Sequence, residues 1–309
     1  MRSSEFIIIM KDGQENHIYK WEPEEDINVL GVIQLVHGSC EHAKRYINFA
    51  QFLTDKGYVV YANDLRGHGL SVKSNDDLGY FAEKNGWHIL VEDLNELTKF
   101  IKKEQESLKF FILGHSMGSF LVRHYAIEYG TEINGLIAIG TAHNPRAMLK
   151  FGKFLAERSI EKNGGKYRNY TLNRLSYDSF CNQFKPIRTK QDWLSSDEKV
   201  VDRFIADEKC GFVFTSSAFR DMFDGLLFIT DKNNIIKTPK DLPIFLISGD
   251  KDPVGRNGRM VNKAYEEYKK VGINNIQMKL YKNMRHEILN EIGNEKVYED
   301  IIKWINSQI

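Results

Sequence analysis

The sequence feature that most constrains the fold is a strand-like run that ends abruptly in a serine turn and continues as a helix. FFILGHSMG occupies residues 110–118, and the helix-compatible run SFLVRHYAIEY follows it. The turn matches G-x-S-x-G, in which Gly114 and Gly118 let strand and helix approach closely while Ser116 takes a strained backbone conformation. The serine hydroxyl would then stand clear at the sheet edge. Ser116 is therefore the predicted nucleophile, and an ordinary serine turn is the alternative.

The helix that is predicted to begin at Met117 gives this turn an electrostatic role. Its first backbone N–H groups have no partner within the helix and point toward any oxyanion that forms beside Ser116. A second donor is expected from the loop HGSCEH, residues 37–42. There Gly38 lets the backbone turn inward, so that the N–H of Ser39 joins that of Met117.

The order of residues after the serine predicts its two partners. In folds built on this turn an acid follows the serine and a histidine follows the acid. His286 is the only histidine beyond residue 143, and SGDKDP follows a strand-like run with both Asp250 and Asp252 available. We assign Asp252 to orient the imidazole and Asp250 to a local turn. Solvated loops are the alternative at both positions.

Composition excludes several classes of protein. The chain has 309 residues, with 43 Lys and Arg against 42 Asp and Glu, so a formal charge of +1 gives no general field that would attract nucleic acid. The three cysteines, Cys40, Cys181 and Cys210, have no C-x-x-C spacing. Neither a disulfide framework nor a zinc site is predicted, His37 and His42 are interpreted as scaffolding, and a reducing cytoplasm fits best. No cofactor is predicted.

No membrane-crossing or secretory segment is predicted. The apolar run from Phe6 to Met10 is followed at once by Lys11 and Asp12, which indicates a strand rather than a signal segment. No apolar run approaches the length of a membrane span.

Strand-like and helix-like runs alternate along most of the chain. Buried strands such as VLGVIQLVHG alternate with amphipathic helices such as GWHILVEDLNELTKFIKKE. This alternation predicts an α/β fold with a mostly parallel central sheet, helices on both faces, and ligands at the carboxyl ends of the strands. Strand patterns disappear between residue 145 and about residue 240. We therefore predict a core of residues 1–144 and 241–309 and an inserted helical cap, or lid, of residues 145–240.

Within the predicted cap, five apolar residues have the spacing of one helix face: Phe219, Met222, Phe223, Leu226 and Leu227. They either line an acyl tunnel or pack the cap onto the core, and the pattern supports both. The same two alternatives apply to Trp193, in QDWLS.

The segments LVHGSCEHAKRY, NDLRGHGLS, GHSMGS, SGDKDP and MRHEILNE together resemble the serine hydrolases of the monoglyceride lipase and lysophospholipase group, which are similar to serine aminopeptidases of the S33 type. The resemblance covers almost the whole chain. It implies an α/β-hydrolase fold with a helical cap inserted after the sixth strand. It also implies that Ser116, Asp252 and His286 form the catalytic triad, and that Ser39 and Met117 lend their backbone N–H groups.

The resemblance implies cleavage of a single acyl chain from a monoacylglycerol or a lysophospholipid, through an acyl-enzyme and without a cofactor. The expected partner is a small-molecule acyl ester, and no nucleic-acid partner is expected. The chain is expected to have no transmembrane segment, although the cap could make transient contact with a membrane surface. An aminopeptidase or thioesterase on the same scaffold and a non-catalytic binding module are the alternatives. Epoxide hydrolases and haloalkane dehalogenases would need aspartate in place of Ser116. One departure from the family is Cys40, where glycine is common.

Overall fold

A computed structural model describes residues 1–309 and contains a single sheet of eight strands in the order β1-β2-β4-β3-β5-β6-β7-β8. The strands are β1 (Arg2–Ile9), β2 (Glu15–Glu22), β3 (Gly31–Val36), β4 (Tyr58–Asn63), β5 (Lys109–His115), β6 (Gly135–Ile139), β7 (Ile244–Gly249) and β8 (Ile276–Tyr281). The hairpin of β1 and β2 pairs antiparallel with β4, and every pairing from β4 to β8 is parallel. The predicted mostly parallel sheet is confirmed.

Ten α-helices surround the sheet: α1 (Ile47–Asp55), α2 (Gly86–Glu104), α3 (Met117–Tyr129), α4 (Arg146–Asn163), α5 (Tyr170–Tyr177), α6 (Glu198–Ala206), α7 (Ser216–Ile229), α8 (Lys232–Ile235), α9 (Arg259–Lys270) and α10 (Glu295–Asn306). None of them combines the length and the apolar character that a membrane crossing requires.

Helices cover both faces of the sheet, which explains why its central strands are apolar without alternation. On β5, Ile112 belongs to a core cluster shared with α2, α3 and α9, whereas Phe111 and Leu113 belong to a cluster shared with α1 and α10. Neighbouring residues of a strand point to opposite faces, and here both faces are buried. The carboxyl ends of the strands remain as the edge at which a site can form.

Between β6 and β7 the chain contains α4 to α8 and no strand, apart from one isolated bridge between Arg168 and Thr215. Helix α7 packs against α4 and also against α2 and α3. The apolar stripe on α7 lies in this packing, because Phe219, Met222, Phe223 and Leu226 are buried within the larger core cluster. We call the segment from α4 to α8 the insert, and its division from the core at residues 144 and 241 stays a prediction.

Candidate active site

Ser116 lies between β5 and α3 with φ of 53° and ψ of −119°. A positive φ is uncommon for a residue with a Cβ and stores strain. The flanking glycines allow it: a Cβ on Gly114 would lie 2.2 Å from the carbonyl oxygen of Gly118, and a Cβ on Gly118 would lie 2.2 Å from that of Val36. The Ser116 N–H donates to the carbonyl oxygen of Ile139 at 2.9 Å, which anchors the turn to β6. The serine turn therefore has the geometry that its sequence predicts.

Asp252 and His286 meet at the ends of β7 and β8, although 34 positions separate them. His286 Nδ1 lies 2.9 Å from Asp252 Oδ1, and both side chains are buried. Asp252 also accepts a hydrogen bond from Ser248 Oγ at 2.8 Å and one from the Val254 N–H at 2.9 Å. Burial alone would raise the pKa of Asp252, but the His286 ring and these donors outweigh it and lower the pKa. The Asp252 carboxylate is thus held ionised beside the imidazole.

Asp250 has a different environment from Asp252. Its Oδ1 accepts the Asn283 N–H at 2.7 Å in an exposed turn, and it does not contact His286. This is the local turn role expected of Asp250.

Ser116 and His286 line one cavity of about 240 Å³ at the carboxyl edge of the sheet. The Nε2 atom of His286 is buried and has no hydrogen-bond partner within the protein. The Ser116 hydroxyl also makes no hydrogen bond within the protein, and side chains of catalytic pairs often align only when substrate is bound. The structure therefore brings all three predicted residues together, with the imidazole between the carboxylate and the cavity.

The two predicted oxyanion donors lie on either side of the serine: Ser39 lines this cavity and its N–H has no acceptor within the protein, and Met117 directly follows Ser116. Met117 is the first residue of α3, where intrahelical partners do not exist. Ser39 follows Gly38, whose N–H donates to Glu41 Oε1 at 2.6 Å. A Cβ on Gly38 would lie only 3.0 Å from the Cβ of Ser116, which explains the glycine and shows how closely this loop approaches the serine.

Cys40 takes a left-handed conformation with φ of 55°. Glycine adopts this conformation without strain, which gives a physical reason for the glycine that the family resemblance implies at this position. The cysteine side chain is buried at the cavity wall.

A buried ion network supports the site, and the sequence analysis did not identify it. Arg45 contacts Glu41 and also donates to Glu287, the residue after His286. Burial alone would raise the pKa of Glu41, but the charge of Arg45 and the hydrogen bond with His115 hold it well below its usual range. The charged residues of the network are visible in the segments GSCEHAKRY and RHE, but only the fold brings residues 41, 45 and 287 together.

Two buried histidines near the cavity, His37 and His115, make hydrogen bonds with protein groups. His37 Nδ1 lies 2.8 Å from the carbonyl oxygen of Gly38, and its Nε2 accepts the Leu65 N–H at 2.9 Å, so His37 is scaffolding as predicted. His115 contacts Tyr46 and Glu41. Burial would lower the pKa of His115, but the hydrogen bond and charge of Glu41 outweigh it and raise the pKa.

The insert supplies much of the cavity wall. Trp193 lies with its ring centroid 5.0 Å from that of His286, and the backbone carbonyl of Leu194 accepts the Glu287 N–H at 2.7 Å. The other aromatic residues of the insert at the cavity are Tyr170, Tyr177, Phe204 and Phe212. None of the five stripe residues of α7 lines it, so the packing interpretation of that stripe holds and the tunnel interpretation does not. The sequence left Trp193 and the stripe residues with the same two alternatives, and only the fold shows that Trp193 lines the cavity.

Comparison with known proteins identifies related sequences and structures. The family model described as "Serine aminopeptidase, S33" matches residues 28–293. The monoacylglycerol lipase of Mycolicibacterium smegmatis is 27% identical over 293 residues, covering 94% of this chain and 92% of that protein. The monoglyceride lipase of Rattus norvegicus is 31% identical over 132 residues, which cover 43% of this chain and 41% of that protein.

Similar solved structures include a thermostable carboxyl esterase from Bacillus coagulans, determined in complex with glycerol. The TM-score is 0.89 at 27% identity, with 99% of each chain covered. The eight-stranded sheet and its order therefore belong to the α/β-hydrolase fold, as the sequence resemblance implied.

Proposed function

This chain belongs to the serine aminopeptidase S33 family and is a hydrolase of the esterase and lipase kind, and we propose that it cleaves a single acyl chain from a monoacylglycerol or a lysophospholipid. Ser116 is the nucleophile, His286 the general base and acid, and Asp252 the residue that orients the imidazole. Ser39 and Met117 donate their backbone N–H groups to the oxyanion. No cofactor takes part.

One observation carries the proposal: Ser116 and an unpaired imidazole nitrogen line the same cavity, with a buried carboxylate behind the imidazole. Ser39 lines the same cavity, and Met117 directly follows Ser116 at the start of α3. Nucleophile, base, orienting acid and oxyanion donors are the groups that acyl transfer needs.

The reaction follows from these positions. Ser116 Oγ attacks the ester carbonyl carbon while its proton passes to His286 Nε2, and the carbonyl oxygen becomes an oxyanion held by the two N–H groups. The tetrahedral intermediate collapses, the bond to the alcohol breaks, and the alcohol oxygen takes the proton from His286. Water then attacks the acyl-serine with His286 again as base, which releases the fatty acid and restores Ser116.

The charges at the cavity favour an ester over a peptide with a free amino terminus. An aminopeptidase needs a carboxylate that is free to bind the substrate ammonium group. Glu41 and Glu287 line the cavity, but both are engaged by Arg45. Asp178 has Arg174 at 3.5 Å as its partner. These pairs support the esterase over the aminopeptidase alternative.

The cavity volume supports a substrate with one acyl chain. At about 240 Å³ it lies below the range of about 300–1,000 Å³ that is common for drug-sized ligands. Aromatic side chains of the insert offer apolar contact, and about 0.8 kcal/mol accrues for each buried methylene. A triacylglycerol would need room for three chains.

Transient contact with a membrane surface, and a cytoplasmic location, are part of the same proposal. Helix α4 of the insert exposes Met148, Phe151 and Phe154, with 61% of the Phe151 surface accessible. Residues three apart on a helix share a face. Such a face suits an insert that meets substrate at a lipid surface, in the role predicted for a lid.

A fluorophosphonate probe tests the nucleophile. Wild-type protein should be labelled and Ser116→Ala should not, whereas the control Ser159→Ala should keep full labelling because Ser159 lies on the insert and pairs with Ser216. Equal labelling of wild type and Ser116→Ala would remove the assignment. A burst of nitrophenol from a short nitrophenyl ester would exclude the binding-module alternative, since only an acyl-enzyme accumulates that way.

A further inference from the structure

Three side chains of metal-ligand type meet beside the active site, where the loop after β3 contacts the insert. His42 comes from that loop, and Asp207 and Cys210 come from the turn after α6. One ligand atom of each lies within 4.8 Å of the others. The sequence spacing predicts no metal site here, because His42 and Asp207 are 165 positions apart and only the fold joins them.

The backbone holds this group in place from two sides. The Cys210 N–H donates to the carbonyl oxygen of Asp207 at 2.9 Å, so the turn places both side chains together. Asp207 Oδ1 accepts the Lys209 N–H at 2.8 Å, which leaves Oδ2 to face His42 Nε2 at 2.8 Å. The Gly211 N–H donates to the carbonyl oxygen of Cys40 at 2.9 Å and docks the turn against the loop.

We propose that His42, Asp207 and Cys210 form a binding site for a divalent transition-metal ion of the zinc type, with solvent as the fourth ligand. Imidazole nitrogen, carboxylate oxygen and thiolate sulfur are the ligands that zinc takes in proteins. Calcium and magnesium need oxygen ligands and find only one here. The His42 and Asp207 side chains are 13% and 35% exposed, so an ion reaches them from solvent.

Small side-chain movements convert the group into a tetrahedral site. Zinc bond lengths of about 2.0–2.3 Å place ligand atoms about 3.3–3.8 Å apart. Separations of up to 4.8 Å must therefore close by no more than about 1.5 Å, and the pair of His42 and Asp207, at 2.8 Å, must open by about 0.5 Å. The ion takes the place of the proton between His42 Nε2 and Asp207 Oδ2. The neutral imidazole of His42 then carries its one proton on Nδ1, and the thiol proton of Cys210 leaves to solvent.

The surroundings of Cys210 affect both the protonation of its thiol and the approach of a metal cation. Burial raises the pKa of the Cys210 thiol, and the nearby Arg45 cation only partly offsets this effect. Zinc binds the thiolate form of cysteine, so metal binding displaces the thiol proton of Cys210. Arg45 repels an incoming cation weakly, because Glu41 and Glu287 both contact it.

A bound ion would link two parts of the candidate active site. His42 lies three residues after Ser39, which lines the cavity, and Gly211 and Phe212 after the turn also line that cavity. The ion would hold the loop after β3 against the insert and restrict their separation. We therefore expect metal binding to stabilise the folded protein, as any ligand does that binds only the folded state.

Titration of untagged full-length protein with Co²⁺ tests the site independently of hydrolysis. Wild type should develop a thiolate-to-cobalt charge-transfer band and the visible bands of a tetrahedral ion at one equivalent, and Zn²⁺ should displace them. Cys210→Ser should lose the charge-transfer band, and His42→Ala and Asp207→Asn should weaken Zn²⁺ binding by about tenfold to a hundredfold or more. Zn²⁺ should raise the Tm of wild type and leave that of Cys210→Ser unchanged.

Two controls separate this site from other ligands in the chain. Cys181→Ser should keep the band, because the Cys181 thiol donates to backbone carbonyls of residues 189 and 190. His88→Ala should keep it too. His88 belongs to a second group with His124 and Glu128, where His124 Nδ1 accepts the Trp87 indole N–H and its Nε2 faces Glu128.

The absence of a charge-transfer band in wild type, or its persistence in Cys210→Ser, would overturn the proposal. If Cys210→Ser fails to fold by circular dichroism, unchanged Zn²⁺ affinity in a folded His42→Ala variant would overturn it equally. None of these outcomes depends on Ser116, so they stand apart from the test of the proposed ester hydrolysis.

Discussion

Arg45 donates two hydrogen bonds to Glu287, from Nη1 to Oε1 at 2.9 Å and from Nη2 to Oε2 at 2.8 Å. Parallel bonds of this kind fix orientation as well as distance. Arg45 also contacts Glu41, which accepts the Gly38 N–H, and Glu287 directly follows His286. One guanidinium therefore ties the loop of the oxyanion donor to the loop of the proposed general base.

Replacing Arg45 with Met should destabilise the protein by about 3–5 kcal/mol, because Glu41 and Glu287 would remain buried without their counter-charge. The free energy of unfolding from urea denaturation measures this change. Arg188→Met is the matched control, because Arg188 pairs with Asp202 at an exposed position and its replacement should change stability far less. Similar losses for the two variants would show that the network does not support the fold.

Asp252→Asn should lower kcat by about three to four orders of magnitude, because the amide no longer holds the imidazole in the required tautomer. Circular dichroism should show an intact fold. Asp250→Asn is the control two residues away, and it should leave kcat nearly unchanged because Asp250 only accepts the Asn283 N–H. If the two variants exchanged behaviour, the acid would be Asp250.

Cys40→Gly should be more stable than Cys40→Ala by about 0.5–1 kcal/mol, because position 40 has a φ of 55° that strains any residue with a Cβ. At Cys181, whose φ is not positive, the order should reverse, because glycine there only adds freedom to the unfolded chain. Thermal denaturation of the four variants measures both differences. The same order at both positions would argue against backbone strain at residue 40.

The two buried histidines His115 and His68 should affect stability with opposite dependence on pH. Glu41 raises the pKa of His115 despite burial, so its contribution is present below the ordinary histidine pKa and is lost as the pH rises through the raised value. Burial lowers the pKa of His68 to about 3, so its contribution is present above the ordinary value and is lost as the pH falls.

Urea denaturation between about pH 5 and about pH 9 would measure this contrast. The stability difference between wild type and His115→Gln should shrink toward high pH, and that between wild type and His68→Gln should shrink toward low pH. Besides Glu41, the groups around His115 are Tyr46, Glu287, and the carbonyl oxygen and imidazole ring of His286. Parallel trends for the two variants would contradict the assigned charge states.

The value of kcat/KM should rise from two to about eight acyl carbons by roughly tenfold for each added two-carbon unit, until the cavity beside Ser116 is full. Triacylglycerols should be poor substrates because one covered cavity admits one chain. Monoacylglycerols of increasing length, with lysophosphatidylcholine and an amino-acid amide for comparison, measure the profile. Alkaline hydrolysis of the same esters corrects for their intrinsic reactivity. A flat profile, or triolein hydrolysed as fast as monoolein, would show that the insert does not bind the acyl chain.

The sequence by itself determined the α/β fold, the serine turn and the order of its predicted partners. Each depends on local pattern: apolar runs bounded by glycine, a five-residue motif, and a single histidine after residue 143. It also separated Asp252 from Asp250 by position in the loop, and the two side chains do lie in different environments.

Only the tertiary structure decided which side chains share a cavity. The stripe on α7 has the same periodicity whether it packs or lines a tunnel, and it packs, whereas Trp193 lies beside His286. The contact of Arg45 with Glu287 joins residues separated by 242 positions, and that of His42 with Asp207 joins residues separated by 165 positions. Periodicity reports which face of an element is buried, but a contact between distant segments depends on how the whole chain packs, and no local pattern encodes that.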